Sequence, residues 1–303
     1  MKRLIPLLTA AFLLLLAGCK GAPETEPGFS IACTTYPVYL LANSIAGDTD
    51  GVEVTLVINQ QVSCLHDYSL TVSDMKVLEG ADVVVINGAG LEDFLSDALD
   101  GRSVIDCGKD IALLSEDEDD HDREAEHHHH HEEGDPHIWM DPARYAQMAR
   151  NLADGLSEAD PEHGALYLTR GEACARELES FYTEMSEYAA PLQGAELITF
   201  HDGFGYFSEA FGMEIAAAIE EEEGAEVSAK ALKETISIVQ EHQLPAVFTE
   251  VNGSTNAART IQQECSVEVY TLSMIMSGHT GDMISAYKAA IRQNLETITE
   301  AYQ

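Results

Sequence analysis

Apolar positions along this chain fall into two similar halves. In the first, Phe29 to Thr34 (FSIACT) and Val52 to Ile58 (VEVTLVI) are short runs rich in β-branched residues. Ala81 to Asn87 (ADVVVIN) is almost continuously apolar, as a strand covered on both faces should be. Ser103 to Cys107 (SVIDC) completes four strands. Pro37 to Ala46 and Ser69 to Glu79 predict helices between them, and Gly88 to Leu91 turn the chain into another that runs through Asp100. Regular alternation of strand and helix predicts a parallel sheet with helices on both faces.

The second half repeats this order. Glu196 to Phe200, Met213 to Ile219, Ala246 to Glu250 and Glu268 to Leu272 predict strands. Val227 to His242, Ser254 to Cys265 and a final segment from about Asp282 to Tyr302 predict helices. Between the halves, Pro142 opens one helical pattern, and a break at Ala159-Asp160-Pro161 starts a second that ends at Pro191 and Gly194. That second helix spans roughly 45 Å, enough to cross between lobes. The fold class expected is α/β: two lobes, each a four-stranded parallel sheet flanked by helices, joined by a long helix. The boundaries read as 29–145 for the first lobe, 146–191 for the linking helices and 192–303 for the second lobe.

The first residues add an address. Lys2 and Arg3 precede an apolar stretch that ends in Leu16-Ala17-Gly18-Cys19. A segment this short, closed by small residues, predicts a signal peptide over 1–19 rather than a membrane span. The LAGC sequence resembles a bacterial lipobox, which implies lipid attachment at Cys19. Residues 20–28 (KGAPETEPG) then form a flexible tether. The expected place is outside the cytoplasm, on the outer face of the bacterial cell membrane, with the lipid as the only membrane contact.

A net charge of −37 excludes nucleic acid as a partner and favours cations. Beyond Cys19 the cysteines are Cys33, Cys64, Cys107, Cys174 and Cys265, an odd number without a CxxC pair. A cysteine-based zinc site is therefore not expected, and a disulfide among Cys33, Cys64 and Cys107 stays open. Glu220 to Glu223 read as a solvated acidic loop or as a face for a basic partner.

Candidate chemistry collects on histidine. The segment 115–135 is acidic, has no apolar period and contains five consecutive histidines, His127 to His131; it predicts a loop. Ligands of open α/β sheets bind beyond the carboxyl ends of strands. His66 follows the second strand, His137 follows the fourth strand and the loop, and His201 directly follows the fifth strand. Three imidazoles meeting there suit tetrahedral zinc. Asp141 and Asp202 are either acceptors that orient these histidines or local caps.

Several segments occur in an order that carries a resemblance: His66-Asp67-Tyr68, the ADVVVING run from Ala81 to Gly88, Leu91-Glu92, the DPHIWMDP run from Asp135 to Pro142, and the HDGFGYF run from His201 to Phe207. The chain resembles the zinc- and manganese-binding solute receptors of bacterial ABC importers, in their lipoprotein form. The resemblance implies two lobes bridged by a rigid helix. It implies metal held by His66, His137 and His201, Zn2+ rather than Mn2+ because the third ligand is histidine, and a permease as partner to a monomeric, non-enzymatic receptor. It also implies an acidic fourth ligand, but Ser273 stands at that position in Tyr270-Thr271-Leu272-Ser273-Met274. Glu250, His279 or water are the substitutes considered. The rival functions are a manganese-type receptor, a surface adhesin or zinc buffer, and a zinc hydrolase, against which stands the absence of any HExxH motif.

Overall fold

The computed structural model describes residues 28–58, 68–115, 134–219, 227–251, 253 and 255–303. The signal segment with Cys19, nearly all of the tether, Cys64, His66, the histidine run and Glu220 to Glu223 lie outside the described residues.

The first sheet contains Phe29–Cys33 (β1), Val52–Leu56 (β2), Val83–Ile86 (β3) and Val104–Asp106 (β4), in the order β2-β1-β3-β4. The second contains Glu196–Thr199 (β5), Glu214–Ala218 (β6), Ala246–Glu250 (β7) and Glu268–Leu272 (β8), in the order β6-β5-β7-β8. Every pairing is parallel. The strand order therefore reverses between β1 and β3 in one lobe and between β5 and β7 in the other. Such switch points leave a crevice at the carboxyl ends of the strands, where open sheets bind ligands.

The helices of the first lobe are Tyr36–Ala46 (α1), Val72–Gly80 (α2) and the single turn Ser96–Leu99 (α3). α2 starts three residues later than the apolar pattern suggests. Thr71 and Asp74 form a capping box there: Asp74 N donates to Thr71 Oγ1 (3.2 Å) and Thr71 N to Asp74 Oδ2 (2.7 Å). The helix expected through Asp100 shrinks to α3 and a 3₁₀ turn, Asp93–Leu95. The preceding residues instead wrap a buried carboxylate, because Glu92 accepts from Asn87 N (2.8 Å), Gly88 N (3.1 Å) and Thr34 Oγ1 (2.7 Å).

Pro142–Ala159 (α4) and Gly164–Ala189 (α5) pack against each other between the lobes. α5 has 26 residues, hence about 39 Å of length. It touches α1 in the first lobe and two helices of the second, Gly205–Phe211 (α6) and the last helix. The short α6 is an addition to the helices singled out from sequence. Ala229–His242 (α7) and Asn256–Cys265 (α8) complete that lobe, and Ile284–Ala301 (α9) closes the chain.

α9 begins at Ile284 rather than Asp282 because the residues before it are used elsewhere. Tyr36 Oη donates to Asp282 Oδ2 (2.6 Å), Asn43 Nδ2 to Asp282 O (2.8 Å), Gly281 N to Tyr39 Oη (2.7 Å) and Ile284 N to Ser44 Oγ (2.8 Å). These bonds fasten α1 of the first lobe to the second. A continuous apolar core runs from the first sheet through α4 and α5 into the second lobe. Cys33, Cys107, Cys174 and Cys265 are unbridged, so Cys33 and Cys107 do not pair.

Candidate metal centre

His137 is 4% exposed and sits in the turn entering the 3₁₀ segment Ile138–Met140. Asp135 puts it there. One carboxylate oxygen, Oδ1, accepts from the His137 backbone N (2.9 Å) and lies 2.7 Å from the ring Nδ1. The first bond is an Asx turn, in which a short acid bonds the backbone two residues on. The second fixes the tautomer: a carboxylate at Nδ1 requires the proton there, so Nε2 presents its lone pair. Asn87, at the end of β3, donates through Nδ2 to Pro136 O (2.9 Å) and holds the segment from the sheet side.

Tyr206 on α6 holds it from the second lobe. Its hydroxyl donates to Asp135 O (2.7 Å) and accepts from Leu114 N (3.0 Å). Asp135 N in turn donates to Leu114 O (3.1 Å). The two ends of the histidine-rich insert are therefore clamped together one residue away from Pro136-His137. Arg144 braces the clamp, with its guanidinium 4.7 Å from the centre of the Tyr206 ring and Nη1 bonded to Asp141 (2.9 Å) and Glu209 (2.6 Å).

His201 follows β5 at the switch point of the second sheet. Its Nε2 lies 3.3 Å from His137 Nε2, with the two rings nearly perpendicular at 85°. Two nitrogens bound to one tetrahedral zinc at about 2.0–2.1 Å stand about 3.3–3.4 Å apart. The gap between these nitrogens, one carried by each half of the chain, therefore fits a shared zinc. Among the described residues no group of three or more His, Cys, Asp or Glu side chains gathers in metal-binding geometry. The third expected histidine, His66, is outside them.

The wall beside the two rings is built from Gly203 and the turn after β8. A Cβ on Gly203 would overlap Met274 Cε and stand 3.0 Å from His201 Cδ2 and 3.1 Å from His137 Cδ2. Only glycine leaves that room. Ser273 is committed to the turn, because its Oγ accepts from Ile275 N (3.1 Å). Asn294, 2% exposed, grips the same residue through Ser273 N to Oδ1 and Nδ2 to Ser273 O, both 2.8 Å. Trp139 Nε1 donates to Met274 O (2.8 Å). These bonds hold Ile275 at φ +61°, a left-handed conformation that costs a β-branched residue on the order of 1–3 kcal/mol.

The remaining candidates are placed as follows. Glu250 is buried at the end of β7, and its Oε1 accepts from Phe200 N (3.1 Å), one residue before His201. His279 is exposed in the loop before α9, with its backbone N bonded to Asp282 (2.8 Å). Asp141 is a local cap, accepting from Ala143 N (2.7 Å) at the start of α4; burial pushes its carboxyl above the usual range, against the pull of Ala143 N and Arg144. Asp202 is exposed. Asp135, the residue that orients His137, is a member of the DPH run itself, and its Asp-Pro-X turn signal was present in the sequence. Tyr206, Asn294 and Met274 carried no such local signal.

A family model described as zinc-uptake complex component A, periplasmic, matches residues 31–301. The zinc-binding lipoprotein AdcA of Streptococcus pneumoniae is 27% identical over 99% of this chain, which spans 61% of AdcA's length. The manganese-binding lipoprotein MntA of Halalkalibacterium halodurans is 25% identical over 94% of this chain and 93% of its own. Among solved structures, FpvC of Pseudomonas aeruginosa with Ni2+ superposes with a TM-score of 0.75 at 25% identity, covering 90% of this chain and 96% of that one. A zinc-bound ZnuA lacking its residues 138–173 superposes with a TM-score of 0.74 at 25% identity, covering 90% and 97%. Two parallel four-stranded sheets with a long helix between them match this solute-receptor fold, and the chain belongs to the family of periplasmic component A of the zinc-uptake complex.

Proposed function

We propose that the chain is the zinc receptor of an ABC importer, anchored outside the cytoplasm by lipid at Cys19, and that it hands its cargo to a membrane permease as a monomer. His66, His137 and His201 are the proposed ligands, contributed by 29–145 and 192–303 on either side of the linking helices 146–191. The observation that carries this is the 3.3 Å between His137 Nε2 and His201 Nε2, the spacing of two imidazoles on one zinc. Support comes from Asp135, which fixes the tautomer that leaves Nε2 of His137 free to bind. The names of AdcA and MntA describe metal-binding lipoproteins, which favours binding over hydrolysis. Among the described residues no helix is long and apolar enough to cross a membrane.

Zinc requires deprotonated ligands, so binding is steep in pH. Competition titration of the full chain should give one tight site near pH 7.5, lost below about pH 6 as imidazole protonates. A wild-type chain without tight zinc binding overturns the proposal. Turnover of an ester or peptide substrate that His137→Ala abolishes would replace it with the hydrolase.

A further inference from the structure

We propose that Met274 is the specificity-determining residue of this centre: its thioether lines the side of the metal where Ser273 supplies no carboxylate, so that the site favours borderline and soft cations over hard ones. The inference rests on the zinc-receptor function proposed above.

The geometry is assembled from three directions. The Met274 methyl, one bond from sulfur, converges with His137 Cδ2 and His201 Cδ2 on the space that Gly203 leaves empty. In each ring Cδ2 is bonded directly to Nε2, the nitrogen that faces the other histidine. The methyl end of the side chain and the two rings therefore border one small space beside Gly203. It is also buried, at 4% exposure. Its backbone is held by Trp139 Nε1 at the carbonyl, by Asn294 on both backbone groups of Ser273, and by the left-handed Ile275 that follows. A strained turn persists where its surroundings over-determine it, and such turns cluster at ligand clamps.

The chemistry follows from the donor set. Thioether sulfur is a soft donor that suits zinc and softer ions, whereas manganese and magnesium prefer carboxylate and water oxygens. Imidazoles and a thioether offer those hard ions little in exchange for their hydration. Ser273 does not restore a carboxylate: its hydroxyl is neutral and already accepts from Ile275 N within the turn.

The test uses the full chain, titrated with Zn2+, Cd2+ and Mn2+ against a chromophoric chelator, for wild type and Met274→Leu. Leucine keeps the volume and removes only the sulfur, a swap that cores tolerate. The expected result is that Met274→Leu loses at least tenfold in its preference for Cd2+ over Mn2+. X-ray absorption at the cadmium edge of the wild-type protein should show one sulfur neighbour that the variant lacks. An unchanged preference, or a wild-type spectrum with nitrogen and oxygen neighbours only, overturns the role of Met274. Absence of tight zinc binding in wild type instead overturns the receptor function itself, so the two failures are distinct.

Discussion

Replacing Asp135 by alanine removes the acceptor that serves both the backbone and the ring of His137, at 2.9 and 2.7 Å. A hydrogen bond to a charged group contributes about 1.5–3 kcal/mol. Losing the ring bond frees Nδ1 and lets the imidazole carry its proton on Nε2, the nitrogen needed for metal. That energy corresponds to roughly 10- to 100-fold in the zinc dissociation constant, the usual range for the acceptor behind a ligating histidine. Asp135→Asn keeps an oxygen in place without the charge and should fall between alanine and wild type. The assay is competition titration at pH 7.5, with circular dichroism to confirm that all three proteins are folded. Zinc affinity within twofold of wild type in Asp135→Ala would refute the claim that this carboxylate prepares His137.

Other consequences concern the frame of the site. Asn294→Ala leaves Ser273 N and O unpaired in a buried turn, which should cost about 2–3 kcal/mol in a denaturant titration and relax the left-handed Ile275. Burial raises the Glu92 carboxyl from 4.5 to about 7, against its three donors. Its protonated form is thus favoured in the folded protein, and the resulting stability is complete below about pH 4.5 and lost as pH rises through about 7. The melting temperature should therefore fall from pH 5 to pH 8, by the equivalent of about 3 kcal/mol at most, and fall less in Glu92→Gln. Deleting Asp117 to Glu133 should keep the tight site and remove only weaker metal binding, because Leu114 and Asp135 already meet at the base of the insert (3.1 Å).

The periodic features of the chain were legible before the fold was known. ADVVVIN reads as a doubly covered strand because burial on both faces leaves no polar alternation, and β3 is that strand. His137 and His201 could be singled out because each follows a strand in a sheet whose parallel order is implied by alternation. The helix through Asp100 was not legible, since the Asn87 to Glu92 segment is organised by a buried carboxylate that no helical period reveals. Tyr206 and Met274 were equally hidden. Tyr206 reaches Asp135 across 71 positions and Trp139 reaches Met274 across 135, and only the folded chain brings such partners together. Ser273 stands where the resemblance implies an acidic ligand, but its work as a turn residue depends on Asn294, 21 positions on.

In the proposed function one zinc ion is shared by the two halves of the chain through His137 and His201. Anomalous diffraction at the zinc edge from crystals of the zinc-loaded protein tests it most directly. A single strong peak about 2.0–2.1 Å from Nε2 of both histidines is expected. A peak bound to only one of them, or none between the two rings, would contradict it.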